Sequence, residues 1–267
     1  MKSGRKVSVL LTMALMINAN LLPAFALDVP FPQWQERQQI EFLDPEDTEI
    51  ALRAALLVTK KKDQQLLIIQ ALCDLCHEQK RYVEERDLLL SWISLAQQIE
   101  PFPAVNCATQ NLRLSYAYFV LKDYEKAESA AKASLQMFRE SCSESSPNVA
   151  LALNNLAWVQ MKLNKSADAE ANILEALAIL EVVAGEKSMI YGLLTENLAV
   201  LYEQTNNQKV ALRLYKKALA ILKKFLDKDD SIIVDLRQHM DEQHSLLAQS
   251  KEHREKKKLA RHKETQK

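Results

Sequence analysis

Within Ser146-Pro147-Asn148-Val149-Ala150-Leu151-Ala152-Leu153-Asn154-Asn155-Leu156-Ala157, the residues Val149, Leu153 and Leu156 recur at three- and four-residue spacing. That is the stripe of an amphipathic helix. The ending Asn155-Leu156-Ala157 has a counterpart 42 residues earlier, Arg113-Leu114-Ser115, and another 42 residues later, Asn197-Leu198-Ala199. Leu72, Leu114, Leu156 and Leu198 all keep this interval, and each precedes a small residue: Cys73, Ser115, Ala157 and Ala199. A fixed period of roughly 20 to 50 residues marks a stacked array, because each unit must bury its apolar face against the next.

A second stripe, Ala169, Ile173, Ala176 and Leu180, follows the polar break Lys162-Leu163-Asn164-Lys165, so each unit reads as two antiparallel helices. Ala127, Ala169 and Ala211 keep the period, as do Ser134, Ala176 and Ala218 with Leu135, Leu177 and Leu219 beside them. A small side chain facing a neighbouring helix lets the two axes approach, and the large residue beside it fills the remaining gap. A large side chain at Ala169 or Ala211 is therefore expected to overpack the seam.

Leucine with a small residue, an aromatic about a turn later, then alanine and alanine-leucine resembles the tetratricopeptide repeat, and the 42-residue period is similar to the kinesin-light-chain variety. The resemblance covers roughly residues 63–227 and implies an all-α fold, an α-solenoid of antiparallel helix pairs wound into a superhelix. A HEAT array, with a period of about 40–47, is the other solenoid of this size. The first unit departs from the pattern, since Glu85 and Trp92 stand where later units carry small residues. Four units are expected at about 63–104, 105–146, 147–188 and 189–228. A helix from Glu46 to about Lys60, opened by Asp44 and Pro45, precedes them, and a capping helix from Ser231 to about Ser250 follows. The helical repeat region thus spans 46–250, between an extended arm at 27–45 and a basic tail at 251–267 that either continues the cap as a fraying helix or is disordered.

The two ends carry different signals. Lys2, Arg5 and Lys6 precede the apolar run Val7–Leu22 and the small-x-small site Ala24-Phe25-Ala26, so residues 1–26 read as an export signal cleaved after Ala26. The alternative, an uncleaved anchor, requires a stretch shorter than a comfortable span and carrying Asn18 and Asn20. Export would place the mature chain in a periplasm or extracellular space, and with no long heptad segment for a motor subunit the light-chain resemblance does not carry a motor-cargo function across. The tail holds eight basic and three acidic residues, among them Lys256, Lys257, Lys258 and Arg261, while the full chain has zero net charge. Such a tail offers contact with an anionic membrane or envelope polymer, and nucleic acid is not an expected partner of an exported chain. With only three glycines, Gly4, Gly185 and Gly192, phosphate-binding glycine loops and hairpin-rich β folds are not supported.

The function expected is binding of a protein or peptide, without catalysis. In solenoids of this kind the first helix of each pair lines the concave groove. That projection selects Gln70, Asp74 and His77 from the first unit, Leu112, Arg113, Tyr116 and Phe119 from the second, Asn154, Asn155, Trp158 and Lys162 from the third, and Glu196, Asn197 and Glu203 from the fourth. Arg113, Asn155 and Asn197 share one register and would form a ladder able to hold a peptide backbone. Tyr116, Phe119 and Trp158 would anchor it, unless they pack into the repeat core instead.

Four cysteines remain. Cys107 and Cys142 fall at ends of antiparallel helices that meet, which suggests a disulfide among the three connectivities possible for two bridges. Cys73-Asp74-Leu75-Cys76-His77 matches the c-type haem attachment pattern, and a haem electron-transfer protein is the rival reading from another class. Against it, Cys73 fills the small-residue slot of Ser115 and Ala157, and Cys76 the slot of Tyr118 and Tyr202. No cofactor and no metal is expected; His239 and His244, five apart, do not share a helix face.

Overall fold

The computed structural model describes the backbone of residues 45–265 and the side chains of residues 45–257. The export signal, the arm up to Asp44, and the side chains of Lys258 and Arg261 lie outside the described residues. Ten α-helices and no strand occur among the described residues: α1 Pro45–Val58, α2 Lys62–Glu78, α3 Tyr82–Ala96, α4 Ala104–Val120, α5 Tyr124–Ser141, α6 Pro147–Lys162, α7 Ser166–Val183, α8 Met189–Gln204, α9 Gln208–Leu222 and α10 Ser231–Thr265. The chain forms two compact units that divide between Leu163 and Asn164. In the first unit each helix from α1 to α6 packs on the next, and α4 also touches α6; in the second, α7 packs on α8, α8 on α9, and α9 on α10.

The turns repeat as faithfully as the leucines. Lys80, Lys122, Asn164 and Asn206 all adopt left-handed backbone, with φ of 58°, 64°, 58° and 59°. Each ends a first helix, where one left-handed residue lets the following amide reach back to orphan carbonyls. The Arg81, Asp123 and Asn207 amides accordingly donate to the Cys76, Tyr118 and Tyr202 carbonyls at 2.8, 2.9 and 2.8 Å. Asparagine suits this backbone; lysine does not favour it, so the surrounding pair must hold Lys80 and Lys122 there.

The small residues sit where close packing requires them. Ala127, Ala169, Ala176, Ala211 and Ala218 are fully buried. The Ser134 hydroxyl donates to the Ala108 carbonyl at 2.7 Å, and the Ser115 hydroxyl donates to the Ala127 carbonyl at 2.8 Å. In the first pair the Trp92 indole nitrogen donates to the Leu66 carbonyl at 3.0 Å. Trp92 and Leu66 lie 42 residues before Ser134 and Ala108, so the larger residue keeps the same hydrogen bond. Gly192 marks a close approach between α8 and α9: a Cβ there would come within 2.9 Å of Leu222. A core of Leu66, Ile69, Cys73, Leu89, Trp92, Cys107 and Leu114 joins α2, α3 and α4 in the first unit. In the second, Leu193, Ala211, Tyr215, Leu222, Ile233 and Leu236 join α8, α9 and α10.

The last helix runs on past Ser250 to Thr265, so the backbone of the basic segment continues the cap as helix. One expectation needs revision. The Cys107–Cys142 bridge is not formed, and all four cysteines are unpaired. Cys107 is fully buried in a core with Leu66, Ile69, Leu89 and Trp92 of the preceding pair, whereas Cys142 is half-buried at the C-cap of α5.

Candidate partner-binding face

The groove residues of the second and third repeats lie on α4 and α6, which are in direct contact within the compact unit that ends at Leu163. They do not all face outward. Arg113 is 6 % exposed, and its guanidinium donates to Asp74 at 2.6 Å and to Glu85 at 3.0 Å. Asp74 stands on α2 and Glu85 on α3, so Arg113 joins the first pair to the second. It therefore does not serve as a free cation in a groove, and the ladder loses its first rung.

Glu85 itself fills a position that alanine holds in later repeats, with a side chain only 1 % exposed. A buried carboxylate needs a charge and hydrogen bonds. Arg113 supplies the charge, and His77 Nδ1 approaches Glu85 at 3.0 Å. Glu85 in an alanine position and Arg113 in an asparagine position are thus partners. Around them His77, Tyr82 and Tyr116 form a triangle of rings with centroids 5.7–5.9 Å apart. Burial, then the neighbouring Tyr82, pushes the Tyr116 hydroxyl up to about 12.

Tyr116, Phe119 and Trp158 are half-buried, so each ring keeps an accessible part. Phe119 leans edge-on against Tyr124 at 5.7 Å between centroids. Asn154 and Asn155 are buried, and Lys162 is exposed. The Asn155 Nδ2 is buried without a hydrogen-bond partner. In the second unit Glu196, Asn197 and Glu203 are half-buried on α8. Burial and then the negative charge of Asp235 raise the Glu196 carboxyl to about 7. Glu203 accepts a hydrogen bond from the Tyr215 hydroxyl and lies 3.2 Å from His239 Nδ1.

The haem-like segment does not fit haem attachment. Cys73 and Cys76 are fully buried on α2, and burial pushes the Cys73 thiol up to about 12, leaving it protonated and inert. His77 is held by Glu85 and by the two tyrosine rings. Attachment would require α2 to abandon its packing on both neighbours.

Sequence reading placed Asp74 and His77 on the groove face and singled out Glu85, but it missed that Arg113 and Tyr82 join them, and it missed His239 beside Glu203. The first could have been found from the period: an acid and an arginine that both break the repeat, in registers that meet, predict each other.

Among the described residues no helix is long and apolar enough to cross a membrane. A tetratricopeptide-repeat family model matches residues 106–181 and 159–224. Among solved structures the chain is similar to BtubC (BKLC) from P. vanneervenii, with 21 % identity, a TM-score of 0.65, and coverage of 78 % of this chain and 85 % of that one. It is also similar to a protein of nearly identical TPR-like repeats from Podosopora anserina, described as a kinesin light chain, at 14 % identity and TM-score 0.58, covering 74 % of this chain and 93 % of that one. RapI in its apo form gives 16 % identity and a TM-score of 0.61, covering 74 % of this chain and 78 % of that one. No curated protein sequence matches.

Proposed function

Because the chain is a tetratricopeptide-repeat protein with 42-residue units of the kinesin-light-chain kind, we propose that it is an exported, non-catalytic scaffold that holds a peptide or a segment of a partner protein. The binding face in this reading is the one shared by α4 and α6, the first helices of the second and third repeats. The observation that carries it is the row of half-covered aromatic rings there, Tyr116, Phe119 and Trp158. Large rings that keep an accessible edge on rigid helices make effective anchors, because little side-chain freedom is lost on binding. Tyr116 is braced by His77 and Tyr82 and serves as floor, which leaves Trp158 as the anchor. Asn155 carries a donor without an acceptor, and rotation of its side chain offers that donor to a peptide carbonyl.

The test is affinity capture from the native envelope fraction with wild type, Trp158→Ala and Asn155→Ala, each checked for unchanged helicity by circular dichroism. A partner retained by wild type and lost by Trp158→Ala supports the face. Equal capture by all three removes it. The export part is tested separately by fractionating cells that express the chain with and without residues 1–26; identical distribution of the two would refute it.

A further inference from the structure

The second unit carries a group of side chains that the partner-binding face does not use. Glu203 at the end of α8 and His239 and Glu242 on α10 bring one ligand atom each to within 4.8 Å of one another. His239 and Glu242 are three residues apart, and so lie on one face of their helix. Glu203 comes from a different element, so the three donors converge only in the folded unit.

Three features of the surroundings favour a cation. First, His239 Nδ1 is buried and 3.2 Å from Glu203 Oε2, yet the two form no hydrogen bond. Donor and acceptor at that separation without alignment are side by side, not pointing at each other, as two ligands of a common centre would be. Second, each ligand is held from behind. Tyr215 stacks on the His239 ring at 5.3 Å and 14°, and its hydroxyl donates to Glu203. The Gln238 amide donates to Glu242 Oε1 at 3.0 Å. Orientation of ligands by outer groups is the usual design of a metal site. Third, charge is left over. Glu196 and Asp235 add to Glu203 and Glu242, and among the described residues no lysine or arginine forms an ion pair with any of the four. The repulsion is already felt at Glu196, whose carboxyl is raised to about 7 by burial and then by Asp235. Gln243, one turn beyond His239, is fully buried with neither amide atom hydrogen-bonded, so this stretch of α10 leaves polar groups unserved.

We propose that Glu203, His239 and Glu242 form a binding site for a divalent transition-metal ion of the zinc type, which clasps the last helix to the last repeat pair. One imidazole nitrogen with two carboxylates is a borderline ligand set that suits zinc better than calcium or magnesium, whose sites are built of oxygen alone. Metal–ligand bonds of about 2.0–2.2 Å in a tetrahedral site set the donors about 3.4 Å apart, so His239 and Glu203 already have nearly the right spacing and the widest-spaced donors close by up to about 1.4 Å. Glu242 is exposed and can make that movement. The remaining coordination positions go to water.

The experiment uses the full chain, stripped of metal, titrated with Zn²⁺ by calorimetry and with Co²⁺ by absorbance. Wild type binds one Zn²⁺ per chain, with a rise in melting temperature. Glu242→Gln, a change on an exposed side chain, weakens binding at least about tenfold and removes the rise. His239→Gln does the same. The Co²⁺ complex shows ligand-field bands and no thiolate charge transfer. Absence of saturable uptake at one equivalent overturns the proposal. So does uptake unchanged in Glu242→Gln, or a strong near-ultraviolet thiolate band, because either places the ion on the cysteines or the other histidines.

Discussion

The Glu85–Arg113 pair can be exchanged for what the later repeats use. Glu85 shares its register with Ala127 and Ala169, and Arg113 shares its register with Asn155 and Asn197. Glu85→Ala with Arg113→Asn therefore rebuilds in the first seam the combination found in the next two. At 3.0 Å and an effective dielectric constant of about 20, the attraction between the two charges is about 5–6 kcal/mol. Dehydrating the two ions costs several kcal/mol each, so the pair as a whole contributes little net stability. Breaking half of it is different. Arg113→Asn leaves the 1 %-exposed Glu85 carboxylate with His77 alone and should cost about 3–5 kcal/mol. Glu85→Ala leaves Arg113 its bond to the half-exposed Asp74, so its cost should lie at the low end, about 3 kcal/mol. The double variant should return to within about 1–2 kcal/mol of wild type, a coupling of several kcal/mol. Urea unfolding followed by far-ultraviolet circular dichroism measures all four proteins at a common slope. Additive losses, or a Glu85→Ala protein as stable as wild type, would refute the reasoning.

Three further outcomes follow from the same structure. Ala211→Leu places a large side chain in a fully buried slot beside Tyr215, Ala218 and Leu222, and should lower stability by about 1–3 kcal/mol in urea unfolding; an unchanged midpoint would mean the seam has room. At Lys122, where φ is 64°, valine should destabilise by about 1–2 kcal/mol while glycine should be neutral or stabilising; equal effects would show that the turn backbone is not under strain. Glu196 has a folded pKa of about 7 against an ordinary 4.5, so the folded state binds the proton more tightly. Stability is then highest below the unfolded value and falls as pH rises toward 7, by about 3 kcal/mol on the linkage relation. Glu196→Gln should flatten this slope between pH 4.5 and 7 and should melt higher than wild type at pH 8; parallel pH profiles would count against the raised value.

What the sequence revealed is what recurs. Leu72 to Leu198 and Ala127 to Ala211 report the packing that every repeat must solve alike, so their spacing alone defined the helix pairs. The turns were legible at Asn164 and Asn206, whose side chains suit left-handed backbone, and hidden at Lys80 and Lys122, where tertiary packing overrides preference. Direction was harder to read than position. Arg113 shares the register of Asn155 yet is drawn inward by a carboxylate on another helix, and Cys107 is buried in a core shared with the preceding pair. Both depend on contacts between elements distant in sequence, which periodicity does not encode. The same holds at the other end of the chain, where Glu203 and His239 meet although 35 residues and a whole helix separate them. Repeats supply a frame of near-identical positions. Chemistry specific to this chain therefore gathers where the frame is broken, at Glu85 with Arg113, and where it ends, against α10. A residue that violates the period is best read by asking which neighbouring repeat carries its complement.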